Sequence, residues 1–441
     1  MLFARLPSSS FRPSLTLFSL PPLLITAVIL WFGVPAVLNV IEARPAGDLR
    51  YIIDAGNVLT DENPAGLYER NPESVNRSVQ LAQEGGYVYP HSYPYTPSFG
   101  LAMVPLAKAS DRFAGNFWMV LTIASTLVLA GLVASTFRGW SWRLLVAASV
   151  ICWEPLLLNA RIGQTGALVA GASAIAFVVF LRNRNLGAVL LGLLVFKPTA
   201  ALAPFFLIFP ERMGVWARFY GVVTFVAFVP FIWLGPDALF GWIDILTDRA
   251  VVDLSGGHVY NQGLSAVINL KNPVGVFLVA WMLLLLALLV SSVETRLGIA
   301  AAAALTIYLA LVLNPHSLLY DWGVAFVGIL LIRSGGLFPE KLADACAGAL
   351  ALSLFVAGQL VWHENQVGEQ LHLLTVWTVL VVGSLVVLAL SPWLRERLAS
   401  LPDSGAREPA PAKVPQPVAP VRSAGAGRSS RAARRKSRRI T

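Results

Sequence analysis

Apolar runs of membrane-spanning length recur from about residue 18 to residue 391, separated by short polar stretches. A helix needs about 20 apolar residues to cross a bilayer core. Runs of this kind lie near 18–41, 116–136, 142–159, 164–182, 215–235, 273–291, 296–313, 318–333, 341–361 and 371–391. The stretch 186–209 is interrupted at its middle by Lys197-Pro198. Proline removes a helix hydrogen bond, and broken helices at membrane depth persist where they line a cavity. Taken as one helix, the stretch gives eleven spans and puts an Arg-rich tail on the opposite side from Arg5 and Arg12. Split into 186–196 and 198–209, it gives twelve, with both termini cytoplasmic. The split also puts Arg138, Arg143, Arg182, Arg184, Arg212, Arg218, Arg296, Arg333 and Lys341 on the cytoplasmic side, as the positive-inside bias favours.

The pattern therefore predicts an all-α polytopic membrane protein of about twelve transmembrane segments. Its first extracytoplasmic loop, residues 42–115, is long and carries nine acidic and six basic residues. Within it, Asp48 to Leu59 and Phe99 to Ala109 read as short helices. An aromatic run (Tyr87, Tyr89, Tyr93, Tyr95) is laced there with Pro90, Pro94 and Pro97. A second outer loop spans 236–272. Two regions result: a transmembrane domain over 1–398, and a tail over 399–441 rich in Ala, Pro, Ser and Arg that cannot bury a core.

Composition agrees, with 56% hydrophobic and 13% charged residues against roughly 25% charged in soluble domains. The net charge of +9 belongs to the tail. From Leu394 onward there are twelve Lys/Arg and three Asp/Glu, and the remainder carries 21 of each. A basic nucleic-acid-binding surface is thus excluded, and the Arg431 to Arg439 cluster is matched instead to anionic lipid headgroups. Cys152 and Cys346 both fall inside apolar segments, so no disulfide framework is implied. The apolar stretch from Leu15 to Ile41 exceeds a signal-peptide core of ~7–15 residues and reads as an uncleaved first span.

Charges at membrane depth cost at least ~2.5–3.5 kcal/mol and persist mainly where function requires them. The residues able to do chemistry sit at ends or breaks of the apolar runs. Asp48, a few residues after the first span, is a general-base candidate for a sugar hydroxyl; an Asp there is equally a helix N-cap. Arg161, Gln164 and Thr165 open the fourth span and offer either a headgroup contact or a capping turn. Lys197, beside the break, suits a phosphate or snorkels to the interface. His316, near Tyr320 and Asp321, could protonate or hold a leaving phosphate. Asn261 and Gln262 offer amides to hydroxyls. No His, Cys or carboxylate pair has metal-ligand spacing, and no P-loop or dinucleotide fingerprint is present, so no cofactor is assigned.

In order, these pieces resemble glycosyltransferase family 87, GT-C membrane enzymes that include polyprenol-phosphate-mannose-dependent mannosyltransferases. The resemblance rests on Asp48 with the helix from Tyr51 to Leu59, Tyr95-Thr96-Pro97, and Met103-Val104-Pro105-Leu106. It continues through Gly163-Gln164-Thr165-Gly166-Ala167-Leu168 and Gly192-Leu193-Leu194-Val195-Phe196-Lys197-Pro198. Asn261-Gln262-Gly263-Leu264-Ser265 and Pro315-His316-Ser317 with Tyr320-Asp321 complete it. Tyr-Thr-Pro stands where the family usually has Tyr-Pro-Pro. The resemblance implies a polyprenyl-phosphate-sugar donor, a glycolipid or polysaccharide acceptor, and an outward-facing site at the plasma membrane. Asp48 would be the base in an inverting transfer. Lys197, His316 and Arg161 would meet the leaving phosphate, with Gln164, Tyr95, Asn261, Gln262, Tyr320 and Asp321 around the substrates. The competing reading, a transporter or lipid-linked sugar flippase, predicts paired broken helices in matching halves; the sequence shows one such break.

Overall fold

The computed structural model describes residues 19–42, 48–61, 63–68, 93–247, 287–313, 319–366 and 373–399. These residues form helices and turns, with no strand among them. Most of the expected 236–272 loop, much of the expected 273–291 span and the basic tail lie outside them. Among the described residues six helices are long and apolar enough to cross a membrane: Leu20–Glu42, Asp111–Ser135, the nearly continuous Trp140–Ile162, Met213–Leu234, Leu342–His363 and Leu373–Leu390. Five more apolar helical segments are shorter, among them Arg184–Phe196 and Pro198–Ile208 on either side of Lys197. Exposed side chains such as Trp31, Phe32, Phe225, Ile232 and Leu380 are large and apolar, as expected of surfaces that face lipid.

The long first helix α1 (Leu20–Glu42) leads to α2 (Asp48–Val58), and a 3₁₀ turn follows at Pro64–Tyr68. α3 (Pro97–Ala107) packs along α2, so that the two expected short helices form one packed pair. Gly56 permits this close approach: a Cβ there would lie 2.8 Å from the Val104 backbone nitrogen. α4 (Asp111–Ser135) starts with the Ser110 hydroxyl accepting from the Phe113 N–H, an N-cap that satisfies a donor otherwise orphaned at the helix start. α5 (Trp140–Ile151) and α6 (Glu154–Ile162) are separated at Cys152-Trp153, where Pro155 can neither donate nor continue the preceding turn.

α7 (Gly166–Arg182) and α8 (Arg184–Leu193) follow as an antiparallel-type helical pair in contact, and α8 tightens to 3₁₀ at Leu194–Phe196. Lys197 is extended (φ −112°, ψ 101°), and a second 3₁₀ turn, Pro198–Ala201, runs into α9 (Leu202–Ile208). The Lys-Pro step thus divides 186–209 as its sequence predicts. α10 (Met213–Val223) passes through a π-turn at Thr224–Phe228 into α11 (Val229–Leu234) and α12 (Pro236–Thr247). At that turn the Val226 carbonyl accepts from the Ser98 hydroxyl at 2.6 Å, joining the α2–α3 pair to α10 and α11.

α13 (Ile299–Leu313) is apolar on every side and buried along most of its length, which identifies it as the central helix. It packs on α14 (Ala325–Ser334), where Tyr308 lies against Gly328 and donates its buried hydroxyl to the Ala325 carbonyl at 3.2 Å. α15 (Glu340–Gln366), α16 (Leu373–Leu390) and α17 (Pro392–Ala399) complete the described chain. Asp344, buried in α15, accepts from the backbone N–H groups of Arg138 and Gly139 at 3.1 and 2.9 Å and from Arg333 Nε at 2.8 Å. One carboxylate thereby ties the α4–α5 turn to the end of α14. Cys152 and Cys346 are both free thiols.

Candidate active site

The site begins with a glycine. Gly163 ends α6 in the left-handed conformation (φ 79°), where L side chains are strained, and a Cβ there would lie 2.3 Å from Leu49 Cβ. Only the absence of a side chain lets the first turn of α2 press against this corner. Asn159, wholly buried, organises the corner. Its carbonyl accepts the Gly163 and Gln164 N–H groups at 3.0 Å each, and its Oδ1 accepts from Ala167 N–H at 3.1 Å. Gln164 therefore projects toward α2, where its Nε2 donates to Asp48 Oδ2 at 2.7 Å.

Tyr95 joins them from the strap before α3. Its hydroxyl donates to Gln164 Oε1 at 2.8 Å and lies 3.1 Å from Thr165 Oγ1. The ring packs against Tyr93 and Phe99, with centroids 5.3 and 5.0 Å away, and the Tyr68 hydroxyl donates to the Tyr95 carbonyl at 3.0 Å. The same strap reaches the helix break, since Thr96 N–H donates to the Phe196 carbonyl at 3.1 Å and Phe99 stacks near Phe196. Next along the chain, the Lys197 ammonium pairs with the Asp321 carboxylate, from the 3₁₀ turn Leu319–Val324 that opens α14. Both are buried, with 9% and 8% of their surfaces exposed. A small cleft of about 40 Å³ adjoins this pair, lined otherwise by apolar or small side chains including Val169, Phe177, Ala203, Ile307 and Leu311.

The two clusters share one electrostatic environment. Burial pushes the Asp48 carboxyl above the usual carboxylate range, and the Gln164 hydrogen bond and the Lys197 charge only partly reverse this. Burial likewise pushes the Tyr95 phenol up; Thr165 opposes the shift, while the charges of Asp321 and Asp48 add to it. A carboxylate with raised proton affinity beside a buried cation is the combination expected where a proton is taken up and an anion is held.

Five of the residues suggested by the sequence are thus brought together: Asp48, Gln164 and Tyr95 in one chain of hydrogen bonds, Lys197 and Asp321 as a pair. Arg161, in the last turn of α6, is engaged by Glu154 and lies 5.6 Å from the Trp362 ring. Asn261, Gln262 and His316 lie outside the described residues, as does the side chain of Tyr320. Sequence reasoning passed over Asn159 and Tyr68, and gave Gly163 no role of its own. Of these only Gly163, a glycine at a helix boundary, left a local signal. Asp54, a second carboxylate of α2, is buried and receives the Asn57 amide at 3.4 Å.

Compared with known proteins, residues 93–315 match the family model described as Glycosyltransferase family 87. No curated protein and no solved structure matches the chain.

Proposed function

The chain belongs to glycosyltransferase family 87, and on that premise we propose that this membrane glycosyltransferase draws its sugar from a polyprenyl-phosphate donor. The acceptor is a hydroxyl of a glycolipid or polysaccharide, and the reaction takes place in a GT-C-type fold at the outer face of the plasma membrane. The observation that carries the reading is the buried Lys197–Asp321 pair beside an apolar cleft at a helix break, with the lysine charge felt by the buried Asp48 carboxyl. A lipid-linked donor needs both environments: an apolar channel for its first isoprene units and a cation for its phosphate.

In the transfer, the acceptor oxygen attacks the anomeric carbon from the face opposite the phosphate. The new C–O bond forms as the bond from the anomeric carbon to the phosphate oxygen breaks. Asp48 takes the hydroxyl proton, and polyprenyl phosphate leaves with the bonding electron pair, inverting the carbon. Negative charge grows on that leaving oxygen, and a preorganised cation in a site of low polarity stabilises it more in the transition state than water would. Lys197 supplies the cation. An ammonium has three donors, so it can meet a phosphate oxygen while retaining Asp321, whose charge keeps the lysine oriented before the donor arrives. His316 and Arg161 are further candidates for the phosphate, and Asn261, Gln262 and Tyr320 for the sugar and acceptor hydroxyls.

The test is incubation of the purified protein with a panel of polyprenyl-phosphate sugars and membrane glycolipid extract. Release of polyprenyl phosphate with one sugar, and its loss in Asp48→Asn, is the expected result. Transfer from a nucleotide sugar, with no release from any lipid-linked donor, would overturn the donor class.

A further inference from the structure

The sequence suggests a headgroup contact for Gln164, yet both ends of its amide are engaged by protein. Tyr95 hydroxyl donates to Oε1, and Nε2 donates to Asp48 Oδ2. An amide oxygen only accepts and an amide nitrogen only donates. The ionised Asp48 carboxylate only accepts, so it takes the amide nitrogen, and the Tyr95 hydroxyl, which can donate or accept, donates to Oε1 and secures that orientation. Tyr95 is itself immobilised by Tyr93 and Phe99 on its ring, by Thr165 at its hydroxyl and by Tyr68 at its carbonyl. The Gln164 backbone is fixed by its N–H bond to Asn159 and by the left-handed turn at Gly163. A whole corner of the fold is devoted to aiming one N–H at one carboxylate oxygen.

We propose that Gln164 is a positioning residue for Asp48: its N–H holds Oδ2 and leaves Oδ1 to receive the acceptor's proton. Among the described residues Asp48 Oδ1 has no hydrogen-bond partner. This rests on the reading of Asp48 as the general base, and it gives Gln164 a duty other than donor binding. It also explains why Tyr95, buried and far from ionising, belongs to the site. Tyr95 acts through Gln164, to which its hydroxyl donates, and not by a hydrogen bond to Asp48 itself.

An N–H aimed at a carboxylate favours the ionised form. Replacing Gln164 by a side chain of similar length without the donor should raise the pH at which Asp48 ionises. The charges stay in place: Lys197 from the helix break, whose charge acts on Asp48, with its partner Asp321, and Arg50 and Asp54 on α2 itself. The phenols of Tyr68, Tyr93 and Tyr95 are pushed up by burial and remain neutral. A residue that merely fills the turn would change none of this.

The experiment is pH-difference infrared spectroscopy of the purified full-length protein in detergent, following the carboxyl stretch that disappears in Asp48→Asn. In Gln164→Met the midpoint of that band should move up by about one pH unit, a tenfold change in the ratio of acid to base. Tyr95→Phe keeps the amide but frees it to rotate, so it should move the midpoint the same way by less; it also serves if Gln164→Met fails to fold. With synthetic short-chain polyprenyl-phosphate mannose as the donor probe, the acid limb of turnover should move with the midpoint, and the rates should converge at high pH. An unmoved midpoint in the folded variants, or turnover lowered by the same factor at every pH, overturns the proposal. A midpoint that moves while Asp48→Asn keeps its turnover supports the hold of Gln164 on Asp48 and overturns the base assignment alone.

Discussion

Replacing Gly163 by alanine tests whether the corner between α6 and α7 sets the position of Asp48. The new Cβ would sit 2.3 Å from Leu49 Cβ and 2.9 Å from the Leu49 backbone nitrogen, whereas ordinary contacts lie at 3.4–4 Å. The first turn of α2 must therefore retreat by about 1 Å, carrying Asp48, the neighbour of Leu49, away from Gln164. The left-handed φ of 79° adds about 1–2 kcal/mol of strain for any residue with a Cβ, and overpacking adds about 1–3 kcal/mol. A displacement of that size at a reacting group costs about 10²-fold in rate. The expected outcome is a folded protein with a lowered melting temperature in detergent and turnover of polyprenyl-phosphate sugar down by about two orders of magnitude. Gly131→Ala is the control. It lies within α4 with nothing inside 4 Å of the position its methyl would take, and should leave turnover intact and stability equal or about 0.5–1 kcal/mol better. Turnover within threefold of the parent in Gly163→Ala would refute the argument that this corner places the base.

Lys197→Ala removes the ammonium facing the buried Asp321 carboxylate and should cost about 3–5 kcal/mol of stability together with donor binding and turnover. Lys197→Met combined with Asp321→Leu should recover the stability, read by thermal unfolding, but not the turnover; recovered turnover would remove Lys197 from the reaction. Asp344→Ala should destabilise by about 3 kcal/mol, because Arg333 and two backbone N–H groups lose their acceptor. Its KM for donor should stay unchanged, since α14 and the α5–α6 pair lead from this cluster to the site at their other ends.

Much of the local architecture was legible in the sequence. The break at Lys197-Pro198 announces itself because a charge and an imino acid interrupt an apolar run, and Asp48 and Pro97 stand at the first turns of the short helices α2 and α3. The π-turn at Thr224–Phe228 left no such mark, for it lies within an unbroken apolar run and follows from packing rather than from a helix-breaking residue. The separation of α5 from α6 at Cys152-Trp153 was equally hidden, although an apolar boundary near residue 160 was not. The assembly of the site was the least legible part. Gln164 and Asp48 are 116 residues apart and Lys197 and Asp321 are 124 apart, so no spacing rule could pair them. The sequence marked these residues as costly in an apolar chain but could not say which of them satisfies which, and Gln164 was accordingly read as a ligand for substrate rather than for Asp48.

The central claim is that Asp48 accepts the acceptor's proton, and Asp48→Asn under single-turnover conditions tests it most directly. Asparagine keeps the size and caps a helix about as well as aspartate, so melting temperature and donor binding should hold. The rate of polyprenyl-phosphate release should fall by about 10²–10⁴-fold. A variant that binds donor normally and releases polyprenyl phosphate at a rate close to that of the parent would contradict the account and leave Asp54 or Asp321 as the base.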